Sequence, residues 1–296
     1  MTGAPHPAPA ATAPQADQGY VTRLTRRSHT NFYYAFLFLP RPRREAIHAL
    51  YAFCRQVDDS VDASTDPEEA VRRVAFWRRE LAAAYEATPT HPVTRALASH
   101  LRVYPIRERD LEDVIDGVAM DLEPRRYATW EELRVYCHRV ASAVGLACIE
   151  IFGYRNARAR DYAMTLGLAF QMTNILRDVR SDAVRGRIYL PADTMARHGC
   201  HDGDLRATAA TEAFRSLMRA ECARTRALFE EARRLLPRRD RRSLCAASIM
   251  GGIYEAILDK IDRRVDRVLV ERTALSRPRK FALAAGLYLR SMAGGA

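Results

Sequence analysis

Apolar positions in this chain recur every three or four residues over most of its length, and no segment alternates strictly between apolar and polar. A spacing of three and four gathers side chains on one helix face, whereas a strand changes face at every residue. Glycine and proline are sparse, and no internal repeat stands out. The pattern predicts an all-α fold in a single helical domain over 19–296. It follows a tail, residues 1–18, whose Ala- and Pro-rich composition lacks any period and is read as disordered. A first helix is expected from about Thr22 to Leu39, stopped by Pro40. A second begins near Arg43, with Pro42 near its start. Asp66-Pro67-Glu68-Glu69 reads as a helix start with Asp66 as N-cap. Further helices are expected at 91–103, 107–119, 130–153, 157–182, 211–235, 238–269 and 276–291.

Two of these segments carry a second stripe beside the apolar one. In the first, Ile47, Leu50, Cys54, Val57 and Val61 run beside Tyr51, Arg55, Asp58 and Asp62. In the second, Met164, Leu168, Met172, Ile175 and Val179 run beside Gly167, Gln171, Asn174, Asp178 and Asp182. An ordinary solvent face mixes signs and long flexible side chains, but the second stripe concentrates short amides and carboxylates. Each stripe ends in two aspartates four residues apart, which on a helix lie roughly 5–6 Å from one another and repel. A cation would offset that repulsion. Mg²⁺ suits aspartate oxygens and is commonly held by one or two carboxylates plus substrate phosphates. The loop Arg185-Gly186-Arg187 follows the second pair, and arginine matches phosphate oxygens bidentately. The expectation is a helical cavity with two acidic walls that hold Mg²⁺ and a diphosphate.

Composition narrows the alternatives. The formal net charge is +11, and lysine occurs only at 260 and 280, so the excess is arginine. Arginine clusters at 41–44, 72–79, 238–242 and 263–267 read first as solvated helix faces. A sharper reading is attraction to an anionic membrane or to polyanionic substrates. No zinc-finger spacing, RNA-binding signature or basic zipper is present, so nucleic acid is not an expected partner. Six scattered cysteines form no CxxC pair, as suits reduced thiols in a cytoplasm. The N-terminus resembles neither a secretory nor a mitochondrial leader. No run of eighteen apolar residues is evident, so no membrane span is expected. Phe281–Leu289 is apolar enough to touch a bilayer, although core packing is its expected use. Location is expected to be cytoplasmic, with contact at the inner membrane face. His29, His48 and His138 lack a metal-ligand spacing and read as structural, and Trp77 and Trp130 as core or helix-start residues. Nothing in the sequence marks an oligomeric state.

The segments Tyr51-Ala52-Phe53-Cys54-Arg55-Gln56-Val57-Asp58-Asp59-Ser60-Val61-Asp62 and Gln171-Met172-Thr173-Asn174-Ile175-Leu176-Arg177-Asp178-Val179-Arg180-Ser181-Asp182 resemble the two signatures of squalene and phytoene synthases. The second continues into Arg185-Gly186-Arg187-Ile188-Tyr189-Leu190-Pro191, and likeness extends from about residue 22 to 285. One aspartate pair is a weak signal; two, with these flanks and in this order, are a strong one. Asp121–Tyr127 and Val140–Leu146 look most like bacterial presqualene diphosphate synthases of the hopanoid route. The resemblance implies a class I isoprenoid synthase fold and Mg²⁺-dependent head-to-head (1′-1) coupling of two allylic prenyl diphosphates, with Mn²⁺ as a substitute. It implies that Asp58, Asp62, Asp178 and Asp182, helped by Asn174, hold the metal. Tyr51, Arg55, Arg177 and Tyr189, with the weaker matches Tyr254 and Arg272, would contact diphosphate oxygens. Gln171 and Tyr136 would line the reaction cavity, with Phe32 and Phe36 along a prenyl tail. Arg180-Ser181 stands where the commoner signature has Gly-Glu, which makes this site less negative.

The implied product is presqualene diphosphate from two farnesyl diphosphates. Released diphosphate and Tyr136 are the candidate proton acceptors. No GxGxxG opens a helix after a strand, so no nicotinamide and no reduction to squalene are expected. The rivals are phytoene synthesis from geranylgeranyl diphosphate, a terpene cyclase acting on one substrate, and a non-catalytic helical scaffold.

Overall fold

The computed structural model describes residues 15–27, 32–64, 66–123 and 125–293. Among them there is no strand, only an isolated bridge between Arg126 and Ile188. The helices are α1 (Gln15–Arg27), α2 (Phe32–Phe36), α3 (Arg41–Asp62), α4 (Pro67–Tyr85), α5 (Pro92–Leu101), α6 (Glu108–Ala119), α7 (Trp130–Cys137) and α8 (Ala143–Phe152). They continue with α9 (Ala159–Val184), α10 (Ala192–Arg197), α11 (Asp202–Arg206), α12 (Glu212–Leu235), α13 (Cys245–Arg263) and α14 (Arg277–Ala293).

Local chemistry sets several of the starts. The Asp66 carboxylate accepts from the Glu68 amide at 3.0 Å, with Pro67 at the first helical position, as the sequence predicts. Thr129 and Thr211 cap α7 and α12 in the same way. Two central helices organise the rest. Helix α9 packs against α8, α12 and α13, and α3 packs against α1, α4, α5 and α8. Both are buried along the apolar stripes read from the sequence: Ile47, Leu50, Val57 and Val61 on α3, and Leu168, Met172, Ile175 and Val179 on α9.

Helices α7 and α8 form one rod interrupted by a π-helical turn, His138–Ser142. Such turns commonly mark functional sites. Here it brings Ser142 against α9: its hydroxyl donates to the Met164 carbonyl at 2.7 Å, and a Cβ on Gly167 would lie 2.5 Å from Ser142 Cα. Glycine at 167 thus permits a helix contact that a larger residue would force apart. The continuous rod Trp130–Phe152 is long and apolar enough to cross a membrane by composition, which differs from the sequence expectation. Over half of that window is buried inside the protein, and residues of its π turn and of α8 line the central cavity.

The helix boundaries depart from expectation at both ends. Residues 1–14 of the expected tail lie outside the described residues, and 15–18 are helical, the first turn of α1. Asp17 is buried and receives the Arg95 Nε and Nη2 atoms of α5 at 2.8 Å each, while Gln18 pairs with His100 Nε2 at 3.0 Å. These partners lie far away in sequence, so local composition gives no hint of them. The helix expected over 22–39 is instead α1 and the short α2. The helix expected over 238–269 is reduced to α13, with a 3₁₀ turn at each end. Asp240 accounts for the first of these breaks. It is buried and turned away to accept the Arg155 and Asn156 amides at 2.8 and 3.0 Å. All six cysteines are free thiols.

Candidate active site

A cavity of about 1040 Å³ runs between α3, α6, the α7–α8 rod, α9 and α13. That is at the upper limit of ordinary small-molecule pockets. Both sequence stripes reach it. Helix α3 contributes Tyr51, Arg55, Asp58 and Asp62, and α9 contributes Gly167, Gln171, Asn174, Arg177, Asp178 and Asp182. Tyr136, Tyr189, Tyr254, Arg272 and Phe36 also line it. Phe32 heads α2, but its side chain lies outside the described residues. Much of the remaining lining is apolar, including Phe36, Val140, Val144, Ile149, Phe152 and Met250. On both α3 and α9 the apolar lining residues, Ile47 and Leu50 or Leu166 and Phe170, precede the charged ones, so the cavity is charged at one end and apolar at the other.

At the polar end every aspartate of the two pairs has a distinct environment. Burial and the neighbouring Asp62 push the Asp58 carboxyl up to about 6. Arg55 approaches it weakly, at 3.4 Å, and pairs more closely with Asp59 at 2.5 Å. Asp62 accepts from Arg187 Nη1 at 2.6 Å, an ion pair reaching across the site from the loop after α9. Asp178 is clasped by two arginines. Arg177 donates from Nε at 3.0 and 3.1 Å, and Arg272 from Nε at 2.9 Å and Nη2 at 3.3 Å. Burial opposes ionisation of Asp178, but the two guanidinium groups outweigh it and hold its carboxyl below the usual range. One turn on, burial and the Asp178 charge push Asp182 up to about 7, against the pull of Arg185 and Arg187.

Asp121, just after α6, joins the two walls. Its carboxylate accepts the Tyr136 hydroxyl at 2.8 Å and the Tyr189 hydroxyl at 3.0 Å. The two rings stack, with centroids 5.0 Å apart and planes 21° from parallel. Burial raises the Asp121 carboxyl, and its charge in turn raises both Asp58 and Asp182. Sequence reasoning quoted Asp121 as part of a motif and gave it no role, because one carboxylate at a helix end carries no spacing signal. It likewise missed Lys280, which lines the cavity, and read Arg180 only as making the site less negative; its Nε is buried with no hydrogen-bond partner among the described residues. Arg187 was noted only as part of a basic turn; its reach to Asp62 spans 125 residues of sequence.

The donor set suits a hard cation. Asn174 Nδ2 donates to Gln171 at 3.3 Å, while Asn174 Oδ1 is buried with no hydrogen-bond partner among the described residues. That orphan oxygen sits on the stripe between Gln171 and Asp178. Among the described residues no three His, Cys, Asp or Glu side chains converge as a ready cage. Mg²⁺ does not require one when substrate phosphates complete its shell. The polar end thus combines oxygen donors for cations with Arg55, Arg177, Arg187, Arg272 and Lys280 for anions.

Comparison with known proteins agrees with this geometry. The chain is 39% identical over 236 residues to the presqualene diphosphate synthase of Rhodopseudomonas palustris, covering 79% of this chain and 84% of that protein. It is 35% identical over 282 residues to the phytoene synthase of Mycobacterium bovis, covering 92% and 90% respectively. The crystal structure of a dehydrosqualene synthase in complex with ligand superposes with a TM-score of 0.83 at 30% identity, covering 94% of this chain and 98% of that one. Residues 25–279 match the squalene/phytoene synthase family as a whole, and the chain belongs to that family of all-α, head-to-head prenyl-coupling enzymes.

Proposed function

We propose that the protein couples two farnesyl diphosphates head to head and releases presqualene diphosphate. The observation that carries this reading is the pairing of two aspartate stripes, on α3 and α9, across a single cavity whose far end is apolar. Two charged heads need two polar walls, and two prenyl tails need one shared dry chamber. The choice of farnesyl chains rests on the Asp121–Tyr127 and Val140–Leu146 motifs and on the presqualene relative. The phytoene relatives, which match more of the chain, support the longer substrate as the runner-up.

Asp58, Asp62, Asp178 and Asp182, with Asn174 Oδ1, would hold Mg²⁺ or Mn²⁺ against the substrate diphosphates. When bound, the metal neutralises negative charge on a departing diphosphate. Arg55, Arg177, Arg187 and Arg272 do the same from the protein side, with Tyr51, Tyr189 and Tyr254 as hydrogen-bonding neighbours. Such fixed charges act most strongly where charge develops in the transition state. Ionisation of one diphosphate leaves an allylic cation. The apolar wall of Phe36, Val140, Val144 and Phe152 keeps water from quenching it. The double bond of the second chain attacks that cation, and loss of a proton closes the cyclopropane. Tyr136 is held for the proton: its hydroxyl donates to Asp121, so a proton taken up at the phenol oxygen lets its own proton pass to the carboxylate. Released diphosphate is the other acceptor. Gln171 lines the wall beside Asn174 and orients its amide.

The test is incubation with farnesyl diphosphate and Mg²⁺, without a nicotinamide, and identification of the extract by mass spectrometry. A C30 cyclopropyl diphosphate, lost with EDTA, is the expected result. A C40 product from geranylgeranyl diphosphate with no farnesyl product moves the assignment to phytoene synthesis on the same residues. Inertness toward both overturns the reading in favour of a scaffold.

A further inference from the structure

Helix α14 is apolar on two sides, and only one of them has a partner among the described residues. Its inner side, Leu283, Ala284, Leu287 and Tyr288, packs on the core: Leu287 meets Gly252 of α13, and Tyr288 stacks on Phe38 at 4.5 Å. Its outer side carries Phe281, Ala285, Leu289 and Met292, spaced by four, four and three, so they form one stripe. Phe281 is 54%, Leu289 67% and Met292 48% exposed. Leu37, the chain neighbour of Phe38, is also exposed. The sequence expectation that this segment serves core packing therefore holds for only half of it. Contiguous exposed apolar surface is a binding feature more often than a scatter of single residues is.

Charge around the stripe selects its partner. From residue 272 to the C-terminus the chain has Arg272, Arg277, Arg279, Lys280 and Arg290 and no acidic residue. Arg277, Arg279 and Arg290 are exposed and have no ion pair among the described residues. A second copy of the chain docking by two-fold symmetry would set this positive face against itself. An anionic bilayer meets both requirements, with lipid tails for the stripe and head groups for the arginines. With 17 residues α14 is about 25 Å long. It is too short and too charged at its start to span a bilayer, and suited to lie along one. Its first turn also touches the cavity: Lys280, one residue before Phe281, lines it, as do Arg272 and Val270, the latter 63% exposed.

We propose that the outer face of α14 docks the protein onto an anionic lipid bilayer, with the cavity edge at Val270–Lys280 beside the lipid surface. This goes beyond the reading of the cavity and holds for either prenyl chain length. Docking there lets the prenyl chains of the product pass from the cavity to the membrane without crossing water.

Vesicle co-sedimentation tests this without reference to turnover. The full chain should pellet with phosphatidylcholine vesicles containing about one-third phosphatidylglycerol, and much less with phosphatidylcholine alone. Added salt should weaken binding. The double variant F281S/L289S should bind about 30-fold more weakly, from the apolar area lost. The triple variant R277Q/R279Q/R290Q should lose about 100-fold on anionic vesicles, at roughly fivefold per charge. The single variant L289W, which keeps the stripe apolar, should show a blue shift of its emission on the same vesicles. No pelleting of the full chain, unchanged binding of F281S/L289S, or an L289W spectrum unmoved by lipid would each overturn the proposal. A dimer in sedimentation velocity that F281S/L289S dissociates, with no vesicle binding, would give the face to a second copy instead.

Discussion

Replacing Asp121 by Asn should separate catalysis from stability. In the native protein this carboxylate accepts two phenolic hydroxyls, from Tyr136 at 2.8 Å and Tyr189 at 3.0 Å. Asparagine offers one acceptor oxygen and one donor amide, so at least one charge-assisted bond is lost. A hydrogen bond to a charged group contributes about 1.5–3 kcal/mol. Against that loss stands relief. The carboxylate is half-buried, burial disfavours its charge, and it adds to the repulsion felt by Asp58 and Asp182. Removing one such charge, at an effective dielectric near 20, returns an energy of the same size, about 1–3 kcal/mol. The two contributions oppose each other, so net stability should change by no more than about 1 kcal/mol, a melting shift of roughly 2–4 °C. Turnover should suffer far more. Tyr136 loses the group that receives its proton, and a positioned proton acceptor is commonly worth about 10²-fold or more. Calorimetry together with single-turnover assay of D121N, at saturating substrate, gives both numbers. A rate within threefold of wild type would refute the role of the Tyr136–Asp121–Tyr189 array. So would a loss of rate that merely tracks a large fall in melting temperature.

Other perturbations have equally definite expectations. Gly167→Ala should destabilise by about 3 kcal/mol or more, because the new Cβ meets Ser142 backbone at 2.5 and 2.7 Å. By contrast, Gly286→Ala, with nothing within 4 Å, should stabilise by about 0.4–1 kcal/mol; urea unfolding of the pair checks the contrast. Stability should also fall on mild acidification. His48 and His100 are buried, and burial lowers each to about 4. Below about 6.5 the unfolded chain binds protons that the fold refuses, so stability is full above that pH and is lost as pH drops toward 4. Each histidine accounts for about 2 kcal/mol of that loss at pH 5. In H48L, denaturant unfolding at pH 7.5 and 5.0 should therefore show a smaller loss by about that amount, and an identical loss would refute the assignment.

Much of the site was legible because helical spacing is a local signal. Tyr51, Arg55, Asp58 and Asp62 share a stripe on α3, as do Gln171, Asn174, Asp178 and Asp182 on α9, and both stripes line one cavity. What stayed hidden depends on chain packing. Asp121 gains meaning only when Tyr136 and Tyr189 close over it, and Arg187 only when its loop reaches Asp62. The start of α1 at Gln15 is fixed by Arg95 and His100, some 80 residues away. The π turn at His138–Ser142 has no period of its own and is set by contact with Gly167. The tail-like composition of residues 15–18 was therefore a poor guide, whereas the amphipathic period of α9 was a good one.

The claim on which the rest depends is that the aspartates of both walls act in one reaction. Asp58→Ala and Asp178→Ala, assayed singly for product with farnesyl diphosphate and Mg²⁺ and checked for fold by circular dichroism, test it directly. Each should lose at least about 10³-fold in turnover while keeping its helical spectrum, since each removes charge that acts on a transition state rather than a core contact. Near wild-type turnover in either variant would contradict a two-walled site.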